Sequence, residues 1–466
     1  MIRCLVFCMF GFVCVLQAEQ RKPHILYINA DDLGVMDVGY NNPIFNTPNL
    51  DQLAKDGMVF NNAYAPSANC APSRACVHSG QWSARHGVYT VGSSERGKRS
   101  TRKLIPTKNG AFPQTGITTM AMALKAQGYR TIHLGKYHMG KDPKRLGYDV
   151  NIGGDQTGTP AGGFFSPWGK SSMARWNDKV AKGTHRMDIY VREAVSFIAA
   201  NKDGAMFIHF SPYLVHTPLQ PVPEYVDKYK GKAVNATYAS MVEKFDWGVG
   251  EVLEALDEHG LRENTLMVFS SDNGGIAGVQ SQAPYRAGKG SYYEGGIREP
   301  MIARWPGRIK AGSSTDEVVC TLDLYPTFLS AADLPVPEGV QLDGVDLMPV
   351  MTQSGVLKER ALYWHFPVYL QAYDGKKDDA RDPLFRTRPG SAMRFGKWKL
   401  HEYFEDGALE LYDLEADPGE RKNLGAEMPE KLSELKKMLD AWRAETKSPI
   451  PTELNPAYKG GGSGKG

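Results

Sequence analysis

Between Pro23 and about Pro349, short apolar runs alternate with amphipathic helical patterns, and this alternation limits the available folds more than any other feature. Strands joined through helices run parallel and are covered on both faces, because each connection crosses back over the sheet. The expected class is therefore α/β, a large and mostly parallel sheet sandwiched by helices. Four runs read as its main strands: His24 to Asn29, Arg130 to Leu134, Ala205 to Phe210 and Leu266 to Ser270. Helices are expected over Met120 to Gln127, Arg186 to Asn201 and Tyr238 to Gly260. With 466 residues, 42% of them hydrophobic, the chain can bury a large core and divide into a main and a smaller domain.

After Pro349 the texture changes. Ala361 to Phe366, Ser391 to Leu400 and Leu409 to Leu414 read as strands of a small antiparallel sheet. Met428, Leu432, Leu435, Met438, Leu439 and Trp442 recur at helical spacing, so a helix should cover that sheet. Beyond Pro449 the chain is rich in Pro and then Gly, and a flexible tail is expected over 449–466.

The N-terminus begins Met1-Ile2-Arg3, stays apolar from Cys4 to Leu16 and reaches Ala18 before a polar stretch. This pattern predicts a signal peptide over 1–18 and export to the periplasm or outside the cell after cleavage near Ala18. No membrane span is expected in the mature chain. Loss of the signal leaves Cys70, Cys76 and Cys320, too few for a disulfide scaffold. On a regular helix Cys70 and Cys76 would stand about 9 Å apart, beyond disulfide reach. The formal net charge of +3 gives no argument for nucleic acid as a partner.

The chemistry concentrates at strand ends. His24 to Asn29 runs into Asp31-Asp32 and Leu266 to Ser270 into Asp272-Asn273, at the carboxyl edge where open α/β sheets bind ligands. Four oxygen-bearing side chains favour a hard cation, Ca²⁺ in preference to Mg²⁺. Arg130 to Leu134 opens into Gly135-Lys136-Tyr137-His138, where Lys136 and His138 would face one side if the chain stays extended. His216 follows another strand, and Lys289 lies between glycines that permit close approach of a substrate. In Cys70-Ala71-Pro72-Ser73-Arg74, Pro72 suits a first helical turn, so Cys70 would sit at a helix mouth with Arg74 on the same face.

Cys70 to Gly80 resembles the sulfatase motif C-x-P-S-R-x-x-x-L-T-G. Asp31-Asp32, Cys70 to Arg74, Gly135 to His138, His216-Thr217-Pro218, Asp272-Asn273-Gly274 and Lys289 to Arg298 also follow the order seen in type I sulfatases of the alkaline phosphatase superfamily. The resemblance spans nearly the whole mature chain and includes Leu411 to Leu414 in a small C-terminal domain. It implies a catalytic sulfatase domain over 19–350 and a C-terminal α+β subdomain over 351–448. It also implies that Cys70 becomes formylglycine (3-oxoalanine), made by a formylglycine-generating or anaerobic sulfatase-maturating enzyme. Asp31, Asp32, Asp272 and Asn273 would then hold Ca²⁺ together with an oxygen of residue 70. Arg74 and Lys136 would steady the hydrated aldehyde and Lys289 would grip the sulfate. His216 would protonate the leaving alcohol, and His138 would take the proton of the second hydroxyl as sulfate departs.

Three positions depart from the pattern: His78 stands where Leu is usual, Ser79 replaces Thr, and Tyr137 stands where Trp is common. None removes a reacting group, and His78 reads as a packing substitution or as a change in what the maturing enzyme recognises. The stretch from Gly147 to Pro167 looks like the carbohydrate-active branch, which implies a sulfated poly- or oligosaccharide substrate. Two charged stretches, Ser94 to Lys103 and Tyr373 to Arg388, could contact such a chain or be solvated loops. A phosphodiester or phosphonate ester hydrolase, and a sulfated-glycan-binding protein with unmodified Cys70, are the alternatives.

Overall fold

A computed structural model describes residues 21–113 and 116–460. The expected signal segment lies outside the described residues, among which no helix is long and apolar enough to cross a membrane.

The larger sheet has eight strands, β1 (His24–Ala30), β2 (Met58–Tyr64), β3 (Arg130–Gly135), β4 (Val150–Ile152), β5 (Met206–Ser211), β6 (Thr265–Ser271), β7 (Ile302–Arg304) and β8 (Ser313–Cys320). Their order is β4-β3-β5-β1-β6-β7-β2-β8, and β7 runs antiparallel to both its neighbours while the other pairings are parallel. The central strands are buried on both faces, which is why they are continuous apolar runs rather than alternating ones. Alternate residues serve opposite layers: Leu26 and Ile28 pack with the Arg186–Asn201 and Ala236–Glu258 helices, while Ile25 and Tyr27 pack with Met120–Ala126 and Leu324–Ala331.

The smaller part contains β9 (Ala361–Phe366), the short pair β10 (Leu370–Gln371) and β11 (Phe385–Thr387), then β12 (Gly390–Phe395), β13 (Trp398–Tyr403) and β14 (Leu409–Asp413). The antiparallel order is β14-β13-β12-β9. The Pro429–Thr446 helix covers this sheet, burying Leu435, Leu439 and Trp442 against Leu362, Trp364 and Leu411. Ser391 to Leu400 is not one strand, as expected, but the two arms of a hairpin that turns at Gly396-Lys397.

The flexible tail expected over 449–466 is corrected as far as Gly460. Leu454 bridges Leu104, and buried Asn455 donates from Nδ2 to the Arg99 and Arg102 carbonyls at 2.8 and 2.7 Å. Its polar residues pack because they satisfy backbone groups of the 99–103 segment, a pairing that composition does not reveal. Residues 461–466 lie outside the described residues.

Candidate active site

Strands β3, β5, β1 and β6 are adjacent, and their carboxyl ends bring Lys136, Ser211, Asp31-Asp32 and Asp272-Asn273 to one edge. Gly135 ends β3 with φ 102°, and a Cβ there would meet the Ser211 carbonyl oxygen at 2.1 Å, so glycine is what lets the chain turn Lys136 inward. From β2 the chain leads into the Cys70–Ser79 helix, with Asn69 as N-cap and Pro72 in the first turn. Cys70 is its first residue, 2% exposed, at the end where unpaired N–H groups favour an anion. Cys70, Cys76 and Cys320 are all free thiols.

Three buried cations face three buried carboxylates. Arg74 Nε donates to Asp272 Oδ2 at 2.8 Å, Lys136 Nζ to Asp31 Oδ1 at 2.7 Å and Lys289 Nζ to Asp32 Oδ2 at 2.7 Å. Asn273 Nδ2 donates to Asp32 Oδ1 at 2.9 Å. Burial disfavours charge on both lysines, but Asp31 and Asp32 outweigh it and hold them above the ordinary ammonium range. At Asp32 the charge of Lys289 overcomes burial and holds the carboxyl below its ordinary range.

These residues fit a metal ion. Carboxylate oxygens of Asp31, Asp32 and Asp272 lie within 4.8 Å of one another, as do ligand atoms of Asp31, Cys70 and His216. Asp31 Oδ2 and Asn273 Oδ1 are buried with no hydrogen-bond partner among the described residues. Two orphaned acceptors aimed into an acidic cluster are what a hard, oxygen-seeking cation would satisfy.

The two histidines reach the site differently. His216 Nδ1 donates to the Thr217 carbonyl at 2.6 Å, which fixes the tautomer and leaves Nε2 facing Asp32 Oδ2 at 3.7 Å. His138 does not arrive on an extended chain beside Lys136, as expected. Its φ is 63°, and its N–H donates to the Asp155 carbonyl at 2.8 Å, so a left-handed turn sets the ring on the wall of a cavity of about 350 Å³ shared with Ala71 and Gln156. Burial lowers both rings well below the usual imidazole range, and the charges of Lys136 and Lys289 add to it.

His78 is buried at 1% exposure with its ring against Tyr137, Tyr148 and His209, a packing position behind Lys136 rather than a reacting one. Ser211 was not singled out from the sequence. Its Oγ accepts from Arg74 Nη1 at 2.6 Å and donates to the Lys136 carbonyl at 3.1 Å, and its position at the end of β5 was the available signal. Tyr238, which donates to Asp37 Oδ2 at 2.7 Å beneath the Asp31-Asp32 turn, carried no such signal.

The family model described as Sulfatase matches residues 23–334. The chain belongs to the sulfatase family. A second model, N-sulphoglucosamine sulphohydrolase C-terminal, matches residues 288–445 of this sulfatase. A sulfatase of Formosa agariphila is 31% identical over 92% of this chain and 90% of its own length. An N-acetylgalactosamine-6-O-sulfatase of Bacteroides thetaiotaomicron is 26% identical over 91% and 93%. Among solved structures, Ps i-CgsB in complex with k-i-k-neocarrahexaose superposes with a TM-score of 0.75 at 28% identity, covering 93% of this chain and 95% of its own. The protein is a sulfuric ester hydrolase.

Proposed function

We propose that this sulfatase hydrolyses sulfate esters of poly- or oligosaccharides at residue 70. The observation that carries the reading is the gathering of Cys70 Sγ, an Asp31 oxygen and a His216 nitrogen within 4.8 Å at a helix start, in a cluster otherwise built of paired lysine, arginine and carboxylates. The sugar assignment draws on relatives whose names specify sulfated sugars and a neocarrahexaose complex. A 3-oxoalanine made from Cys70 and a Ca²⁺ ion on Asp31, Asp32, Asp272 and Asn273 would supply the nucleophile and a Lewis acid.

The chain's own groups do the rest. Lys289 turns its ammonium from Asp32 to the sulfate oxygens and holds the anionic group while charge grows on the departing oxygen. Arg74 and Lys136 hold the carboxylates around residue 70 in place. His216 delivers the Nε2 proton to the departing alcohol, since Nδ1 is tied to Thr217. The anionic ester in front of Nε2 offsets Lys289 and Lys136, restoring the ring's tendency to hold that proton. His138, with Nδ1 buried and unpartnered, is the base at residue 70.

The boundaries at 350 and 448, export, and maturation by a formylglycine-generating or anaerobic maturating enzyme belong to the same proposal. The test is a side-by-side assay of the sulfate and phosphate esters of one alcohol. A higher kcat/KM for the sulfate is expected, and a clear preference for the phosphate would overturn the reading.

A further inference from the structure

The two charged stretches that the sequence leaves as surface loops come together in the fold. The segment around Glu95 bridges Tyr369 and lies along β10–β11, so residues 94–103 and 373–388 share one wall beside Lys289. Several of their basic groups are spoken for: Arg102 pairs with Glu95, Arg381 with Asp406, and Arg388 with both Asp382 and Glu405. Arg96 and Arg386 make no ion pair among the described residues and share one partner, Gln371. Both donate from Nε to Gln371, Arg96 to Oε1 at 3.0 Å and Arg386 to the carbonyl at 3.0 Å.

Arg386 is 6% exposed, and a buried guanidinium without a carboxylate is an unbalanced charge. Its nearby acid, Asp378, is already engaged by the Tyr373 and Asp374 N–H groups at 2.6 and 3.2 Å. Burial first, and then the like charge of Arg96, press Arg386 below the ordinary guanidinium range. Nη1 donates to the Lys289 carbonyl at 2.9 Å, an approach that Gly290 permits, since a Cβ there would meet Nη1 at 2.8 Å. Tyr373, 54% exposed, lays its ring 3.3 Å from the Arg386 guanidinium. A basic track thus leads outward from the sulfate clamp.

We infer that Arg96 and Arg386, joined across Gln371 beside Lys289, form a second oxyanion subsite that takes a further sulfate or carboxylate of the same saccharide. This rests on the sulfate-ester reading above and narrows the substrate class to polyanionic glycans. Two guanidinium groups held on one residue, Gln371, match the planar, multi-oxygen face of either group better than lysines would. The link from Arg386 to the Lys289 carbonyl ties occupancy of this subsite to the placement of the clamp.

The test uses the full matured chain and three oligosaccharides of equal length, one monosulfated, one with a second sulfate on the adjoining sugar, and one with a uronate there. The ratio of kcat/KM for the dianionic over the monosulfated substrate is the readout, and the better dianion identifies the natural group. Arg96→Gln is expected to lower that ratio about tenfold, the worth of one charge-assisted hydrogen bond, with partial recovery in Arg96→Lys. Lys98→Gln, an equal charge removed from the same loop, should leave the ratio as in the wild type. A ratio near one in the wild type, or one unmoved by Arg96→Gln, would overturn the subsite. If none of the three is cleaved, the sulfate-ester reading fails, and calorimetric binding still decides the subsite: tighter binding of the dianions that Arg96→Gln abolishes supports it, and equal binding overturns it.

Discussion

In the proposed role as acid, His216 keeps Nδ1–H on the Thr217 carbonyl and must carry a second proton on Nε2, the nitrogen that faces Asp32. An acid matters in proportion to how poorly the alcohol leaves. His216→Ala should therefore depress kcat about a hundredfold or more on a sugar sulfate and far less on a nitrophenyl sulfate, read from steady-state rates. Equal losses on both would remove His216 from that role. At the neighbouring carboxylates, the orphaned Asp31 Oδ2 and Asn273 Oδ1 predict that chelation abolishes turnover, with Ca²⁺ restoring it at lower concentration than Mg²⁺. Full turnover in protein shown by elemental analysis to be metal-free would contradict this. Of the candidate site residues, Asp31-Asp32, Lys136 and Asp272-Asn273 were legible because they stand one or two positions past a strand, while Cys70 was legible through its motif. The groups that hold them were not. Ser211 and Arg386 act on partners 75 and 97 positions away, a distance no local pattern spans.

The smaller sheet is joined to the catalytic part through a buried charge network. Lys399 on β13 reaches Glu294 at 2.8 Å and Glu420 at 3.0 Å, and Glu294 also accepts from the Tyr64 hydroxyl at 2.6 Å. Lys399→Met would leave two buried carboxylates short of a partner, and a loss of about 3–5 kcal/mol in urea unfolding is expected. Because Glu294 follows directly on the segment from Lys289, KM for sulfate esters should rise in the same variant. A loss below about 1 kcal/mol would show that the network contributes little. The elements themselves were unevenly legible. β1, β5 and β6 are mostly apolar runs buried on every residue, and their positions followed from that, while β3 carries apolar Ile132 and Leu134 between polar residues. β4 and β7 are three residues each, and β8 runs five polar residues, Ser313 to Glu317, before its apolar end, so none carries a period long enough to detect. The polar segment after Pro449 packs on hydrogen bonds rather than apolar contact, which composition alone could not disclose.

Across the molecule, buried neutral histidines set the response to acid. Burial holds His78, His86 and His365 at about 3, against 6.5 for an exposed ring. Their folded values are depressed, so the unfolded chain binds more protons between those limits. Stability is then full above about pH 6.5 and falls as pH drops through that window. His78→Leu removes one such group together with a buried Nδ1 that has no partner. The variant should gain on the wild type in urea unfolding at pH 5 relative to pH 7, and a difference independent of pH would contradict the assignment. The proposed reaction is carried by residue 70, at the helix start and beside Asp31 and His216, so the account is most directly tested there. Peptide mass spectrometry of residue 70, alongside turnover of the same preparation, should find sulfur lost and an aldehyde gained in proportion to activity. Full turnover with an intact Cys70 thiol would contradict it.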